Sequence, residues 1–153
     1  GSTVKKKDIV EIIRAHRPSY TATAVATYPE DFYRKIEKIK KTSGFRFLHL
    51  FSACPTGWRI SAEDSVKVVR LAVESGLYPL VETDENNELR LTYRPERLIP
   101  VEKYFRAQGR FRNISDAQIS DSQKKAEERM IELGYIRNLP EEQAPNGAQV
   151  GVK

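Results

Sequence analysis

Phe47-Leu-His-Leu-Phe-Ser-Ala-Cys-Pro-Thr-Gly-Trp58 opens as an apolar run of strand length. It closes on a Cys-Pro-Thr-Gly punctuation that neither strand nor helix is expected to continue. Pro55 has no N–H and fixes its own φ, and Gly57 admits a turn of unusual hand. Cys54, the only cysteine in the chain, is therefore expected where a buried strand gives way to a tight loop. A lone thiol in that place reads in three ways: inert packing, a nucleophile, or one ligand of a site completed from elsewhere.

Upstream, Lys5 to His16 reads as a helix with Ile9, Ile12 and Ile13 on one face, ended by Pro18. Tyr20 to Ala26 is a short strand of small residues, read first as a surface on which a helix packs closely and second as a place for a ligand to approach. Pro29 suits the first residue of the next helix, with Glu30 and Asp31 at the positive end of its dipole. Phe32, Ile36 and Ile39 form its apolar stripe, and Gly44 stops it. The strand Phe45–Phe51 follows. This helix–strand–helix–strand order implies α/β architecture with a parallel sheet.

Downstream, Ser61-Ala-Glu-Asp64 starts a helix in the manner of a capping box. Val66, Val69 and Val73, with Leu71 and Ala72, make that helix apolar over much of its circumference, and Gly76 closes it. Tyr78–Thr83 and Glu88–Tyr93 flank Asp84-Glu-Asn-Asn87 as a hairpin. Val101–Gln108 reads as a short helix. Ser115 or Asp116 caps a longer, charged one running to about Leu133. The expected division is residues 1–77 as the α/β part, 78–112 as hairpin and short helix, 113–139 as the C-terminal helix, and 140–153 as a flexible tail.

Composition narrows the function classes. With 153 residues, 39% hydrophobic and 31% charged, the chain has material for one modest core and much solvated surface. One cysteine forbids an intrachain disulfide and fits a reduced, cytoplasmic setting. No apolar run approaches a membrane span, and the start, Gly-Ser-Thr-Val-Lys-Lys-Lys, lacks the apolar region of a signal peptide. The net charge of +5 gathers at Lys5–Lys7, Arg34–Lys41 and Arg106–Arg112. Solvated helix faces or an acidic partner account for such clusters, and no nucleic-acid motif accompanies them.

Residues for independent catalysis are sparse. The two histidines are His16, near the end of the first helix, and His49, read as a hydrogen-bonded core residue. A Cys54/His49 dyad is disfavoured, since five residues of extended strand separate them by ~16 Å. There is no phosphate-binding glycine loop, and one cysteine with two scattered histidines makes no metal site. Against inert burial of Cys54 stands its loop position beside Pro55 and Gly57, a setting common for iron–sulfur thiolates.

In order along the chain stand Tyr20-Thr-Ala-Thr-Ala24, Tyr28-Pro-Glu-Asp-Phe32, Cys54-Pro-Thr-Gly-Trp58, Arg70-Leu-Ala-Val-Glu74, Tyr78-Pro-Leu80, Leu91-Thr-Tyr93, Pro100-Val-Glu102 and Gln108-Gly-Arg-Phe111. Together they resemble the β subunits of the 2-oxoacid:ferredoxin oxidoreductases, pyruvate:ferredoxin oxidoreductase foremost, over about Lys5 to Phe111. The resemblance implies the C-terminal part of a thiamine-diphosphate-binding, pyrophosphate-type domain. It implies an enzyme that decarboxylates a 2-oxoacid, joins the acyl group to coenzyme A and passes electrons singly through [4Fe–4S] clusters to ferredoxin. It also implies that Cys54 is the second-half ligand of the cluster nearest the cofactor, with three cysteines in the first half.

The departure is large. The Gly-Asp-Gly…Asn segment that holds Mg²⁺ and the diphosphate lies upstream in the family, as do the other three cysteines, and neither is present here. The chain resembles the C-terminal half of a β subunit. It is expected to bind neither thiamine diphosphate nor a cluster alone, and to work with the remaining half and the other subunits. The alternative is a binding or scaffolding module of the same fold that recognises an acidic protein.

Overall fold

β1, Tyr20–Ala24, is buried along its whole length, and the molecule is built on it. The structure, a computed structural model, describes residues 7–135. The tail expected from Pro140 lies outside the described residues. The elements before the Cys54 turn are α1 (Ile9–Arg14), β1, α2 (Pro29–Lys41) and β2 (Arg46–Leu50). After it come α3 (Pro55–Trp58), α4 (Ser65–Glu74), β3 (Val81–Thr83), β4 (Leu89–Leu91), α5 (Val101–Arg106), a 3₁₀ turn (Gly109–Phe111) and α6 (Asp116–Glu132).

The sheet order is β2-β1-β3-β4. β1 and β2 run parallel, in register from Tyr20↔Arg46 to Ala24↔Leu50. β3 is antiparallel to β1 and to β4. The sheet is thus mixed where the alternation of elements predicted a parallel one, because the hairpin joins β1 directly. Only Ala22↔Glu82 pairs β1 with β3 through the ladder. Threonine side chains extend the join. Thr21 N donates to Thr83 Oγ1 at 2.9 Å, and Thr23 Oγ1 accepts from Val81 N at 2.9 Å while donating to Pro79 O at 2.6 Å. The small residues of β1 therefore serve close packing, with both α1 and α2 against the strand.

β2 corrects one expectation. It is an edge strand, partly exposed throughout, with Leu50 49% accessible, and not the buried core strand that its apolar run implied. α1 corrects a second. Only Val10 of this helix is buried, whereas Ile9 and Ile12 are exposed. Its placement is polar: Arg14 donates to Asn87 O at 2.6 and 3.0 Å, and Arg129 meets Glu11 at 2.7 Å. In α4, Val68, Val69, Ala72 and Val73 are buried while Val66 faces out. The hairpin has the expected turn, in which Asp84 Oδ1 accepts from Asn86 N and Glu88 N, both at 2.9 Å. α6 begins at Ser115 with a reciprocal capping box to Gln118.

Candidate functional site

Beyond β2 the ladder continues one residue: Phe51 N donates to Ala24 O at 3.0 Å. Phe51 and Ala53 then turn inward. They pack both on the cluster of Val25, Val69, Val73 and Leu80 under the sheet and on that of Trp58, Val68, Ala72, Val101, Tyr104 and Phe105. Immediately after these inward residues Cys54 is exposed. It is the N-cap of the single turn α3 in extended backbone, and its carbonyl accepts from Trp58 N at 2.8 Å. Pro55 occupies the first helical position, where a missing N–H costs nothing.

The Pro-Thr-Gly segment thus forms a helical turn where the sequence predicted none. The left-handed residue is Arg59, at φ 55°, and not Gly57. Arg59 N and Ile60 N donate back to Thr56 O at 3.3 Å and Pro55 O at 3.1 Å, which is the Schellman way of ending a helix. Gly57 has a different use. A Cβ there would lie 3.2 Å from Cys54 Sγ, so its bare backbone leaves room beside the sulfur.

The turn is anchored on its far side. Trp58 is buried and stacks near Phe51, with centroids 5.5 Å apart, and edge-on to Tyr104 at 6.4 Å. Arg110 lies over the Trp58 ring at 4.2 Å and over Phe111 at 4.5 Å. It donates to Gln108 Oε1 at 2.8 Å and to Tyr104 Oη at 3.1 Å. Gly109 N donates to Arg59 O at 3.3 Å, and a Cβ on Gly109 would meet Arg59 Cβ at 2.9 Å and Arg59 O at 3.0 Å. The turn carrying Cys54 and the Gly109–Phe111 turn are thus in direct backbone contact.

His16 is exposed, just past α1. His49 lies half-buried on β2, its ring 6.3 Å from Phe47 and 5.6 Å from Tyr78. Its environment is aromatic, and the hydrogen bond at this position is from Tyr78 Oη to the His49 carbonyl, at 2.6 Å. Among the described residues no three His, Cys, Asp or Glu side chains gather to hold a metal ion. Cys54 is the one thiol this chain can offer to such a group.

Sequence reasoning missed a second polar centre. Lys35 is 0% exposed on α2; its ammonium donates to Thr23 O at 2.8 Å, Asp31 Oδ2 at 2.5 Å and Thr92 Oγ1 at 2.7 Å. Burial pulls its pKa below the usual lysine value, against the opposing pull of Asp31. On β3, the buried Glu82 accepts from Tyr20 Oη at 2.8 Å, Arg90 at 3.0 Å and Lys38 at 3.1 Å. Burial works to raise its carboxyl pKa, but those hydrogen bonds outweigh it and hold the group below the ordinary range. Tyr20, buried and bonded to Glu82, is pushed up. The signal was present in the sequence. Lys35 sits within the Phe32–Ile36–Ile39 stripe, and Glu82 interrupts an apolar strand.

The same network answers for much of the basic cluster Arg34–Lys41: Arg34 and Lys35 pair with Asp31, Lys38 with Glu82 and Lys40 with Glu37. Arg106 likewise pairs with Glu102 and Asp116. Most of these cations therefore already have carboxylate partners within the chain, Lys35 and Lys38 with buried or nearly buried ones and Lys40 and Arg106 with exposed ones.

No family model matches the chain. Individual relatives do. Over 134 residues it is 41% identical to pyruvate synthase subunit PorB of Methanocaldococcus jannaschii, covering 88% of this chain and 45% of that protein. Over 120 residues it is 39% identical to ketoisovalerate oxidoreductase subunit VorB of Pyrococcus furiosus, covering 78% and 39%. Over 144 residues it is 37% identical to the beta subunit of NADH-dependent phenylglyoxylate dehydrogenase of Aromatoleum evansii, covering 89% and 32%. The chain spans less than half the length of these relatives, an extent that fits a C-terminal half. It belongs to the β-subunit family of the 2-oxoacid:ferredoxin oxidoreductases.

Proposed function

We propose that Cys54 is one of four thiolate ligands of a [4Fe–4S] cluster in a thiamine-dependent 2-oxoacid:ferredoxin oxidoreductase. The other three ligands, and the segment that binds thiamine diphosphate and Mg²⁺, come from the part of the β subunit that this chain does not span. The observation that carries this reading is the exposure of the only thiol on a turn whose other side is fixed in the core. An inert cysteine is buried among apolar groups; this one is exposed while Ala53 before it and Trp58 after it pack into the core.

The donor set fits in kind and in number. A thiolate is the ligand such clusters take, and nothing described around Cys54 completes a metal site within the chain. When bound, the cluster supplies one-electron acceptance from the thiamine-bound intermediate and relay toward ferredoxin. The chain's own residues do the rest. Pro55 and the α3 turn fix where Cys54 stands beyond the carboxyl ends of the parallel strands, the edge at which open α/β sheets bind ligands. Gly57 keeps the flank of the sulfur open.

The reaction we assign is conversion of a 2-oxoacid and coenzyme A to acyl-CoA and CO₂ in the cytoplasm, with the other oxidoreductase subunits as partners. Relatives named for pyruvate, ketoisovalerate and phenylglyoxylate bear on the substrate. We place pyruvate first, because pyruvate synthase subunits reach 43% identity over 118 residues. No described helix is long and apolar enough to cross a membrane.

The test is to assemble the chain with the complementary part of the β subunit and its partner subunits, with and without Cys54→Ser. Iron content should fall by about four atoms per complex, the content of one cubane. Ferredoxin reduction should fall with it while 2-oxoacid binding persists. Full iron and full ferredoxin reduction in Cys54→Ser would defeat the assignment.

A further inference from the structure

We propose that Arg110 is a positioning residue for the Cys54 turn. Its guanidinium is held between Trp58 and Phe111 and fixes the depth at which the turn seats, and with it the exposure of the Cys54 sulfur. This deepens the ligand assignment above and rests on it for its functional consequence, though not for its geometry.

Four observations converge. The guanidinium lies over both rings, 4.2 Å from the Trp58 centroid and 4.5 Å from that of Phe111, so one cation joins the turn to the segment after α5. Its orientation is set twice: Nε donates to Gln108 Oε1 at 2.8 Å, and Nη2 donates to Tyr104 Oη at 3.1 Å. Gln108 is itself buried, and its amide nitrogen donates to Tyr104 O at 2.8 Å, so the acceptor cannot swing away. Gly109 lets this segment touch the backbone of Arg59, the residue that ends the Cys54 turn.

The consequence follows from where Trp58 stands. It lies four residues after Cys54, and its N–H closes the turn on the Cys54 carbonyl at 2.8 Å. That bond is made by the Trp58 backbone, so a change in how the indole seats that moves the Trp58 backbone is carried to the residue bearing the thiol. A lysine lacks the planar face and the fork that reach both rings and both acceptors together.

The chain contains one cysteine and one tryptophan, so each reports on its own position without background. The experiment measures alkylation of Cys54 by iodoacetamide and the emission maximum of Trp58 in the full chain. It compares Arg110→Met, Arg110→Lys and the control Arg106→Met. In Arg110→Met the alkylation rate should change about two- to fivefold, the population shift that loss of one cation–π contact produces, and Trp58 emission should move to the red. Arg110→Lys should fall between Arg110→Met and the parent, and Arg106→Met should match the parent. If Arg110→Met fails to fold, Gly109→Ala perturbs the same contact from the backbone side and should move both signals in its place.

Alkylation and emission unchanged in folded Arg110→Met would overturn the proposal. In the assembled complex, Arg110→Met should lower iron occupancy while Arg106→Met does not. A failed Cys54→Ser experiment removes the ligand assignment and leaves the thiol and tryptophan readouts standing. Silent readouts alongside an intact Cys54→Ser result remove the positioning role alone.

Discussion

The two polar centres of this molecule handle charge in opposite ways. Around β1 the charges are enclosed. Lys35 has three acceptors and Glu82 three donors, drawn from α2, β1, β4 and Thr92 just after β4. At the Cys54 turn one cation, Arg110, lies on aromatic faces, and the thiol is exposed. The enclosed centre ties the hairpin to the parallel pair. The open centre fixes a short turn from one side and leaves the other side available. The ligand role proposed for Cys54 needs that arrangement, since a ligand already satisfied inside its own chain has nothing to give.

The strongest way to break this contrast is Lys35→Met. It takes the buried ammonium from Asp31, which is left with the exposed Arg34 alone, and from Thr23 O and Thr92 Oγ1; breaking a buried pair in this way costs ~3–5 kcal/mol. The melting temperature should fall by more than about 10 °C. Adding Asp31→Leu should restore part of the loss, because the carboxylate left with only the exposed Arg34 is then gone. If the single substitution is neutral by thermal melt, the enclosed centre is not what holds the sheet.

Glu82→Gln should cost less, ~1–3 kcal/mol at neutral pH, as three donors lose a charged acceptor. Its sign with pH is fixed. Glu82 has a folded pKa below its unfolded value, so its stabilisation is present above the ordinary glutamate range and is lost as pH falls through the folded value. Denaturant midpoints should therefore decline in acid for the parent. Glu82→Gln should flatten that decline, with the two curves converging at low pH.

The smallest effect sharpens the contrast from the other side. Cys54→Ser in the isolated chain should change stability by less than about 0.5 kcal/mol, as expected for an exposed side chain away from the core. A loss of several times that by chemical denaturation would make Cys54 a packing residue after all.

Much of the chain was legible residue by residue. Pro29, the acids after it and the lysines at its end mark α2, and Asp84 to Asn87 mark the hairpin turn, because capping and turn chemistry act over four or five residues. The single turn Pro55–Trp58 was not legible, since the same Pro and Gly that open and line it also read as a break. The Ile face of α1 misled for a different reason: hydrogen bonds from Arg14 to the Asn87 carbonyl and an ion pair from Glu11 to Arg129, both far away in sequence, help set how that short helix lies.

By itself the sequence determined the order of helices and strands apart from α3, the solitary cysteine between Ala53 and Pro55, and the ordered motifs that place the chain in its family. All of these depend on residue identity and near neighbours. The tertiary structure alone decided that β2 lies at the edge, that the hairpin makes the sheet mixed, that Lys35 and Glu82 are enclosed and that Cys54 faces outward. Burial and pairing are set by which distant segments meet, and a local pattern carries no record of that meeting.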